Sequence, residues 1–235
     1  MTISFPTSTN QYEVEIKSLI GTKARADKFR TKLERLFKEK LKLTEQSSQL
    51  NHYFIGESLD KVHDLLLPHI PNLQHDSFSN ILHHGKNISV RTRKLNDQVI
   101  LVMKASIDDT TSSNGISRLE FEVRLPSLTL DQLDQLLLDA GLQYQAKWSR
   151  WRESFQAGNV TISIDKNAGY GYLAEFEMLV GSADNVDHAK KELRKLMEKL
   201  GVKELGQKHL ERMFAYYNSN WKDYYGTEKT FTIEE

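Results

Sequence analysis

The sequence predicts an α+β fold: eight antiparallel strands closed into a barrel with a charged lumen, and amphipathic helices packed on the outside. Three observations predict it. First, charges recur two residues apart in strand-like segments: Glu13-Val14-Glu15-Ile16-Lys17, Arg91-Thr92-Arg93, Arg118-Leu119-Glu120-Phe121-Glu122, Arg150-Trp151-Arg152 and Glu175-Phe176-Glu177. Residues i and i+2 of a strand share a face, so each segment carries a charged face. Second, the opposite faces are apolar, with Val14/Ile16, Leu119/Phe121/Val123 and Phe176/Met178. Third, segments with helical apolar spacing lie between the strands and supply the cover those faces need.

The elements follow in order. Gln11–Leu19 is a strand closed by a turn at Gly21, and Ala24–Leu43 is a helix with Phe29, Leu33, Leu36 and Phe37 on one face. Gln49–Ile55 is a short strand. Residues 58–84 form a helical insertion, with Leu59, Val62, Leu65 and Leu66 at helical spacing before Pro68 and Pro71 interrupt it. Lys86–Leu95 and Gln98–Ser106 pair about Asn96-Asp97, and Ile107–Gly115 is a polar loop. Ile116–Leu125 is a strand ended by Pro126; Thr129 caps the helix Leu130–Ala140, which Gly141 stops. Gln143–Phe155 and Asn159–Lys166 pair about Ala157-Gly158, and Leu173–Val180 is the last strand. Helices Val186–Leu200 and Gln207–Tyr225 complete the chain, giving a domain over residues 11–201 and a helical extension over 202–235 packed on it.

Composition excludes several classes. Thirty-two basic and thirty-two acidic side chains cancel, so no global field favours nucleic acid or an anionic membrane. With no cysteine, disulfides, thiolate metal sites and cysteine nucleophiles are excluded. No apolar run is long enough for a membrane span, and the polar Met1–Asn10 is not a signal peptide, which together with the missing cysteines predicts a cytoplasmic protein.

A single strand with a charged face would be ordinary solvated sheet. Here the charged positions are Glu and Arg with little Ser, Thr or Gln. An inward face would collect seven acids, Glu13, Glu15, Glu120, Glu122, Asp165, Glu175 and Glu177, and seven bases, Lys17, Arg91, Arg93, Lys104, Arg118, Arg150 and Arg152. Burying such ions without partners costs several kcal/mol each. A polyphosphate with divalent cations matches both groups: guanidinium forks take phosphate oxygens and carboxylates take hard cations. Without sulfur ligands, Mg²⁺ or Mn²⁺ suits the site better than zinc.

The ordered set resembles the CYTH domains, or triphosphate tunnel metalloenzymes, which include thiamine triphosphatases, inorganic triphosphatases and class IV adenylyl cyclases. The Glu-x-Glu-x-Lys motif stands at Glu13, Glu15 and Lys17; Arg-x-Arg at Arg91 and Arg93; the lone lysine at Lys104; and Arg-x-Glu-x-Glu at Arg118, Glu120 and Glu122. The basic strand ending in an aromatic is Arg150-Trp151-Arg152-Glu153-Ser154-Phe155, and Asp165 with the Gly169–Gly171 loop precedes Glu175 and Glu177. The likeness runs from Gln11 to Gly201 and implies an eight-stranded antiparallel tunnel. It departs from the family at Asn51-His52-Tyr53, where many members have Asp two residues before the Tyr, and in the long insertion at 58–84.

The resemblance implies the roles. The seven acids hold divalent cations, with Glu122 and Asp165 also open to a structural ion pair with a lumen arginine. Lys17, Arg91, Arg93, Lys104, Arg118, Arg150 and Arg152 hold the phosphate chain, with Arg118 open to a plain pairing with Glu120. Lys17 and Tyr53 act on the leaving group, with Tyr53 also open to plain packing at its strand end. Trp148 shares the face of Arg150 and is either a packing residue or a platform for an organic group; His83-His84 lies in the insertion and is assigned no metal or phosphate role, and the Lys190/Lys191/Arg194 face is read as solvated surface. The implied function is a metal-dependent triphosphatase acting on inorganic triphosphate, thiamine triphosphate or a nucleotide. The alternatives are a class IV adenylyl cyclase and a non-catalytic polyphosphate-binding module. The His-Phe pair that bacterial cyclases carry before the first strand is missing from Phe5–Asn10, and the intact acid set exceeds what binding alone needs. The implied partner is a triphosphate-containing small molecule, with no nucleic acid and no membrane; the oligomeric state stays open, a homodimer included.

Overall fold

The computed structural model describes residues 12–57, 59–106 and 118–234. It is an α+β fold on an eight-stranded antiparallel sheet in the order β1-β8-β7-β6-β2-β3-β4-β5. The strands are β1 (Tyr12–Gly21), β2 (Leu41–Ile55), β3 (Lys86–Leu95), β4 (Gln98–Ser106), β5 (Arg118–Arg124), β6 (Gln143–Ala157), β7 (Val160–Asn167) and β8 (Gly171–Val180). Six α-helices lie among the described residues: α1 (Lys23–Phe37), α2 (Leu59–Leu66), α3 (His75–His84), α4 (Leu130–Asp139), α5 (Val186–Leu200) and α6 (Gln207–Asn220).

The chain divides into two compact units, the first made of residues 1–46, 151–215 and 229–235, the second of 47–150 and 216–228. In the first unit the apolar faces of β1, β7 and β8 meet α1 and α5: Val14, Ile16, Ile162 and Phe176 bury against Phe29, Leu33, Leu193 and Met197. Phe29 meets Phe176 edge-on at 6.0 Å. In the second unit Leu101, Met103, Phe121 and Val123 bury against Val62 and Leu66 of α2, Phe78 and Ile81 of α3, and Leu133 and Leu137 of α4. The helical insertion therefore supplies core to the sheet's apolar face.

Local sequence explains the boundaries. Thr22 caps α1, its hydroxyl accepting from the Arg25 amide, and α4 starts with a full capping box in which Thr129 and Gln132 serve one another. Asn96 takes the left-handed conformation in the β3–β4 turn, which Asn tolerates well. The register of β1 on β8 is continuous from Tyr12↔Val180 to Leu19↔Leu173, so the alternation read from the sequence is kept on both strands.

Most boundaries fall within about two residues of the sequence reading, and three differ by more. The first helix ends at Phe37, six residues short of Leu43, and β2 starts at Leu41 instead of Gln49. Lys38 has φ of 49°, a break that helical spacing does not reveal, and Thr44, Ser47 and Ser48 then suit an extended strand. The last helix stops at Asn220, where a 3₁₀ turn over Trp221–Asp223 takes over. The polar loop expected at Ile107–Gly115 and the Phe5–Asn10 segment lie outside the described residues.

Candidate functional site

The charged positions of the first unit come together on one face of β1, β8, β7 and β6. Opposed residues of an antiparallel pair share a face, and the register sets Glu15 against Glu177 and Lys17 against Glu175. The Lys17 ammonium pairs with Glu15 and stands 3.1 Å from Glu175. Arg152 forks onto Asp165, its Nε donating to Oδ1 at 2.7 Å and Nη2 to Oδ2 at 2.6 Å, and it also donates to Glu175. Asp165 is only 1% exposed, so this fork satisfies both oxygens of a carboxylate sealed from water. Burial lowers the Arg152 pKa, but hydrogen bonds and charge from Asp165 and Glu175 outweigh it and hold the guanidinium above its ordinary value.

Glu177 sits among like charges. Burial raises its pKa, Glu13 and Glu175 add to the rise, and Arg152 opposes it. Glu13 and Glu15 are exposed on the same face. Among the described residues no three acidic or imidazole groups stand in a ready-made metal-holding arrangement. The donor set nevertheless suits a hard divalent cation: clustered carboxylate oxygens whose charge Lys17 and Arg152 offset only in part.

The second unit carries most of the bases. Tyr53 opposes Arg91 and Asn51 opposes Arg93 across β2 and β3. The Arg91 guanidinium lies 4.8 Å from the Tyr53 ring centroid and its Nη1 donates to the Tyr53 hydroxyl at 3.3 Å, while its buried Nε has no hydrogen-bond partner among the described residues. Arg93 donates through Nε to Asn51 Oδ1 at 2.9 Å, with Glu122 at 3.6 Å. Burial lowers the Arg93 pKa; Glu122 raises it, and Arg91 and Arg150 lower it further. Arg150 donates to Gln49 Oε1 at 2.7 Å. Lys104 opposes Glu120 and donates to it at 2.6 Å. The Arg118 backbone lies in β5 opposite Ser106, and its side chain is outside the described set.

The residues expected to act thus lie on two charged faces: Glu13, Glu15, Lys17, Arg152, Asp165, Glu175 and Glu177 in the first unit; Tyr53, Arg91, Arg93, Lys104, Arg150, Glu120 and Glu122 in the second. Trp148 packs on Tyr217 with ring centroids 3.8 Å apart, which fits the packing reading over the platform. His83 ends α3, its ring 5.8 Å from that of His63.

Sequence reading missed a buried polar cluster on the apolar side of the second unit. His52 Nδ1–H donates to Asp134 at 2.6 Å, which leaves Nε2 to accept from the Tyr225 hydroxyl at 2.7 Å. Thr92 and Tyr144 also donate to Asp134, at 2.5 and 2.7 Å. Burial raises the Asp134 pKa, and the hydrogen bonds more than offset it, so the carboxyl stays below its usual range. The available signal was Asp134 itself, an acid one residue beyond Leu133 on the stripe that also holds Leu130 and Leu137.

An eight-stranded antiparallel sheet covered by helices, with acids and arginines on alternate strand positions, places the chain in the α+β class. The CYTH domain family model matches residues 67–208, and the chain belongs to that family. The match starts after β1, so the Glu13-x-Glu15-x-Lys17 motif lies outside it. Among solved structures, a putative adenylate cyclase from Vibrio parahaemolyticus is similar at 14% identity and a TM-score of 0.52, covering 88% of this chain and 99% of that one. The PH1819 protein from Pyrococcus horikoshii OT3 is similar at 24% identity and a TM-score of 0.51, covering 87% and 99%. The PH1012 protein of the same organism is similar at 18% identity and a TM-score of 0.50, covering 82% and 92%. These likenesses establish the fold. Comparison with curated proteins gives no match. No helix among the described residues is long and apolar enough to cross a membrane.

Proposed function

We propose that this chain is a divalent-cation-dependent triphosphatase, hydrolysing a phosphoanhydride bond of inorganic triphosphate, thiamine triphosphate or a nucleoside triphosphate in the cytoplasm. The observation that carries the reading is a contrast between the two faces. Lys17 and Arg152 in the first unit are engaged by carboxylates, whereas Arg91, Arg93 and Arg150 in the second donate to the neutral oxygens of Tyr53, Asn51 and Gln49. Arg93 has Glu122 as a more distant partner at 3.6 Å, and the Arg91 Nε, without a hydrogen-bond partner among the described residues, offers a donor for an anion's oxygen.

In this reading Arg91, Arg93, Lys104, Arg118 and Arg150 bind the phosphate oxygens and steady the charge that moves to the leaving group. Glu13, Glu15, Glu175 and Glu177, with Glu120 and Glu122, would hold Mg²⁺ or Mn²⁺. The cation would polarise phosphoryl oxygens and neutralise the triphosphate. Arg152 and Asp165 fix the position of Glu175 through their shared ion pair. Water attacks phosphorus, the bridging P–O bond breaks, and the departing phosphate oxygen takes up the charge. Lys17, within 3.1 Å of Glu175, is the group we assign to that oxygen, and Tyr53 orients Arg91 for the same task.

The test is a panel of triphosphates with Mg²⁺ or Mn²⁺, reading orthophosphate, pyrophosphate and cyclic nucleotide separately. Orthophosphate release that stops in chelator is expected. Cyclic AMP with pyrophosphate from ATP would replace the hydrolase by a cyclase, and binding without turnover would reduce it to a polyphosphate-binding module.

A further inference from the structure

A second cationic pocket lies within the first unit, away from the acid–arginine face. Its cavity, of about 540 Å³, is bounded by the end of β1, by α1 and by the segment joining α5 to α6. That volume falls in the range of about 300–1,000 Å³ typical of small-molecule sites. Four cations line it: Arg25, Lys28, Lys32 and Lys203. The one lining acid, Glu204, is engaged by Arg194, which donates to its two oxygens at 2.7 and 3.2 Å. Asp27 of α1 is likewise held by Lys23 and Arg30. Lys32 donates to the Leu200 carbonyl at 3.0 Å, so its ammonium is fixed at the pocket without a counter-ion.

The floor is apolar, built from the buried Ile20, Phe29 and Leu200. His209 also lines the pocket, and its buried Nε2 has no hydrogen-bond partner among the described residues. The wall is held in place: Gly201 closes α5 in the left-handed conformation, and the Leu205 amide donates to the Lys17 carbonyl at 2.7 Å. Positive groups at the rim, an apolar floor and an unsatisfied polar atom describe a receptor for a molecule with an anionic head and an apolar body. Four cations around one mouth favour a doubly charged head over a single carboxylate.

We propose that this pocket binds a small organic phosphate monoester, its phosphate among Arg25, Lys28, Lys32 and Lys203 and its apolar body over Ile20, Phe29 and Leu200. The site is independent of the proposed hydrolysis, since none of its lining residues belongs to either charged face of the sheet.

The experiment is a titration of the full chain, labelled for NMR, with adenosine monophosphate, inorganic phosphate and adenosine in turn. Adenosine monophosphate is expected to give saturable shifts at the Gly201–Leu205 amides and the His209 ring; inorganic phosphate should bind more weakly and adenosine more weakly still. Lys28→Ala and Lys203→Ala should each weaken the monophosphate by about 5-fold, the scale of one partly exposed charge contact. Lys28→Arg should retain binding, and Arg91→Ala should leave it unchanged. Equal binding of adenosine, shifts confined to the surroundings of Arg91, Arg93 and Arg150, no shifts at all, or indifference to both lysine substitutions would each overturn the proposal.

Discussion

Removing Arg152 should cost this protein more stability than removing any exposed base. Arg152 of β6 makes two hydrogen bonds of 2.7 and 2.6 Å to Asp165 of β7 and reaches Glu175 of β8, so it ties three strands of the first unit. Arg152→Ala withdraws both bonds from a carboxylate that is 1% exposed. Breaking a buried ion pair by deleting one partner costs about 3–5 kcal/mol. Glu175 keeps Lys17 at 3.1 Å, which holds the loss near the lower end, at about 3 kcal/mol. In a chain of this size each kcal/mol shifts the melting point by about 2–4 °C, so a fall of about 6–12 °C is expected. Asp165→Ala should cost less, about 2 kcal/mol, because the Arg152 side chain it leaves is 17% exposed and keeps Glu175.

The assay is thermal and urea unfolding of wild type, both single variants and the double variant, without divalent cation. The double variant should be no worse than about the larger single loss, a coupling of roughly 2 kcal/mol. An Arg152→Ala loss under about 1 kcal/mol, or a strictly additive cycle, would refute the ion-pair account of Asp165. Repeating the cycle with Mn²⁺ separates the two roles the sequence leaves open for Asp165. A cation ligand would lose Mn²⁺-dependent stabilisation on Asp165→Ala, and a positioning residue would keep most of it.

Four further outcomes are expected. Glu13→Gln, Glu15→Gln and Glu177→Gln should each lower turnover by about 100-fold or more while the melting point moves by under about 3 °C, since the first two are exposed and all three keep their volume; kcat and a melting curve decide it. Asn51→Asp should give Arg93 a second and nearer carboxylate partner beside Glu122 and lower kcat/KM for triphosphate by about tenfold through KM, which steady-state kinetics would contradict if KM held. Because the Asp134 pKa is depressed in the folded state, its stabilisation is full above the unfolded value of about 3.9 and is lost as pH falls through the folded one. Asp134→Asn should therefore be about 2–4 kcal/mol less stable at pH 7 and approach wild type in acid; parallel urea curves from pH 7 to 2.5 are the check. Gly171→Ala should unfold the first unit or cost about 3 kcal/mol or more, because φ is 74° there and an added Cβ would fall 2.2 Å from the Gly21 carbonyl oxygen; a melting point within 2 °C of wild type would contradict this.

The sheet was legible because its information is local. Alternation at Glu13–Lys17, Arg91–Arg93 and Glu175–Glu177 fixes which side chains share a face, and the registers of β1 on β8 and β2 on β3 preserve it. The bounds of β3, β4 and α5 follow from turn and cap residues beside them. The start of β2 was not legible, since Lys38–Lys40 continues the charge pattern of α1 and only the backbone break at Lys38 ends it. The polar cluster at Asp134 escaped for a different reason. Its members, His52, Thr92, Asp134, Tyr144 and Tyr225, are spread over 173 residues and meet only through tertiary packing. Nor does sequence spacing reveal that Arg152 spends its charge on Asp165 while Arg93 spends little.

That difference is where fold becomes function. With thirty-two charges of each sign, the chain could have neutralised every arginine on its sheet. In the second unit it sets the neutral oxygens of Tyr53, Asn51 and Gln49 against Arg91, Arg93 and Arg150, so hydrogen bonds to uncharged groups help orient the guanidinium groups, with Glu122 a further partner of Arg93 at 3.6 Å. Asn51 shows this at Arg93: the amide supplies the nearer acceptor at 2.9 Å without adding a second negative charge to that of Glu122 at 3.6 Å. Orientation without neutralisation is what an anion receptor needs, because a charge already paired must be unpaired before it can bind. The acids of the first unit meet the opposite requirement. Left uncompensated they would repel one another, and Lys17 and Arg152 hold them in place as counter-ions.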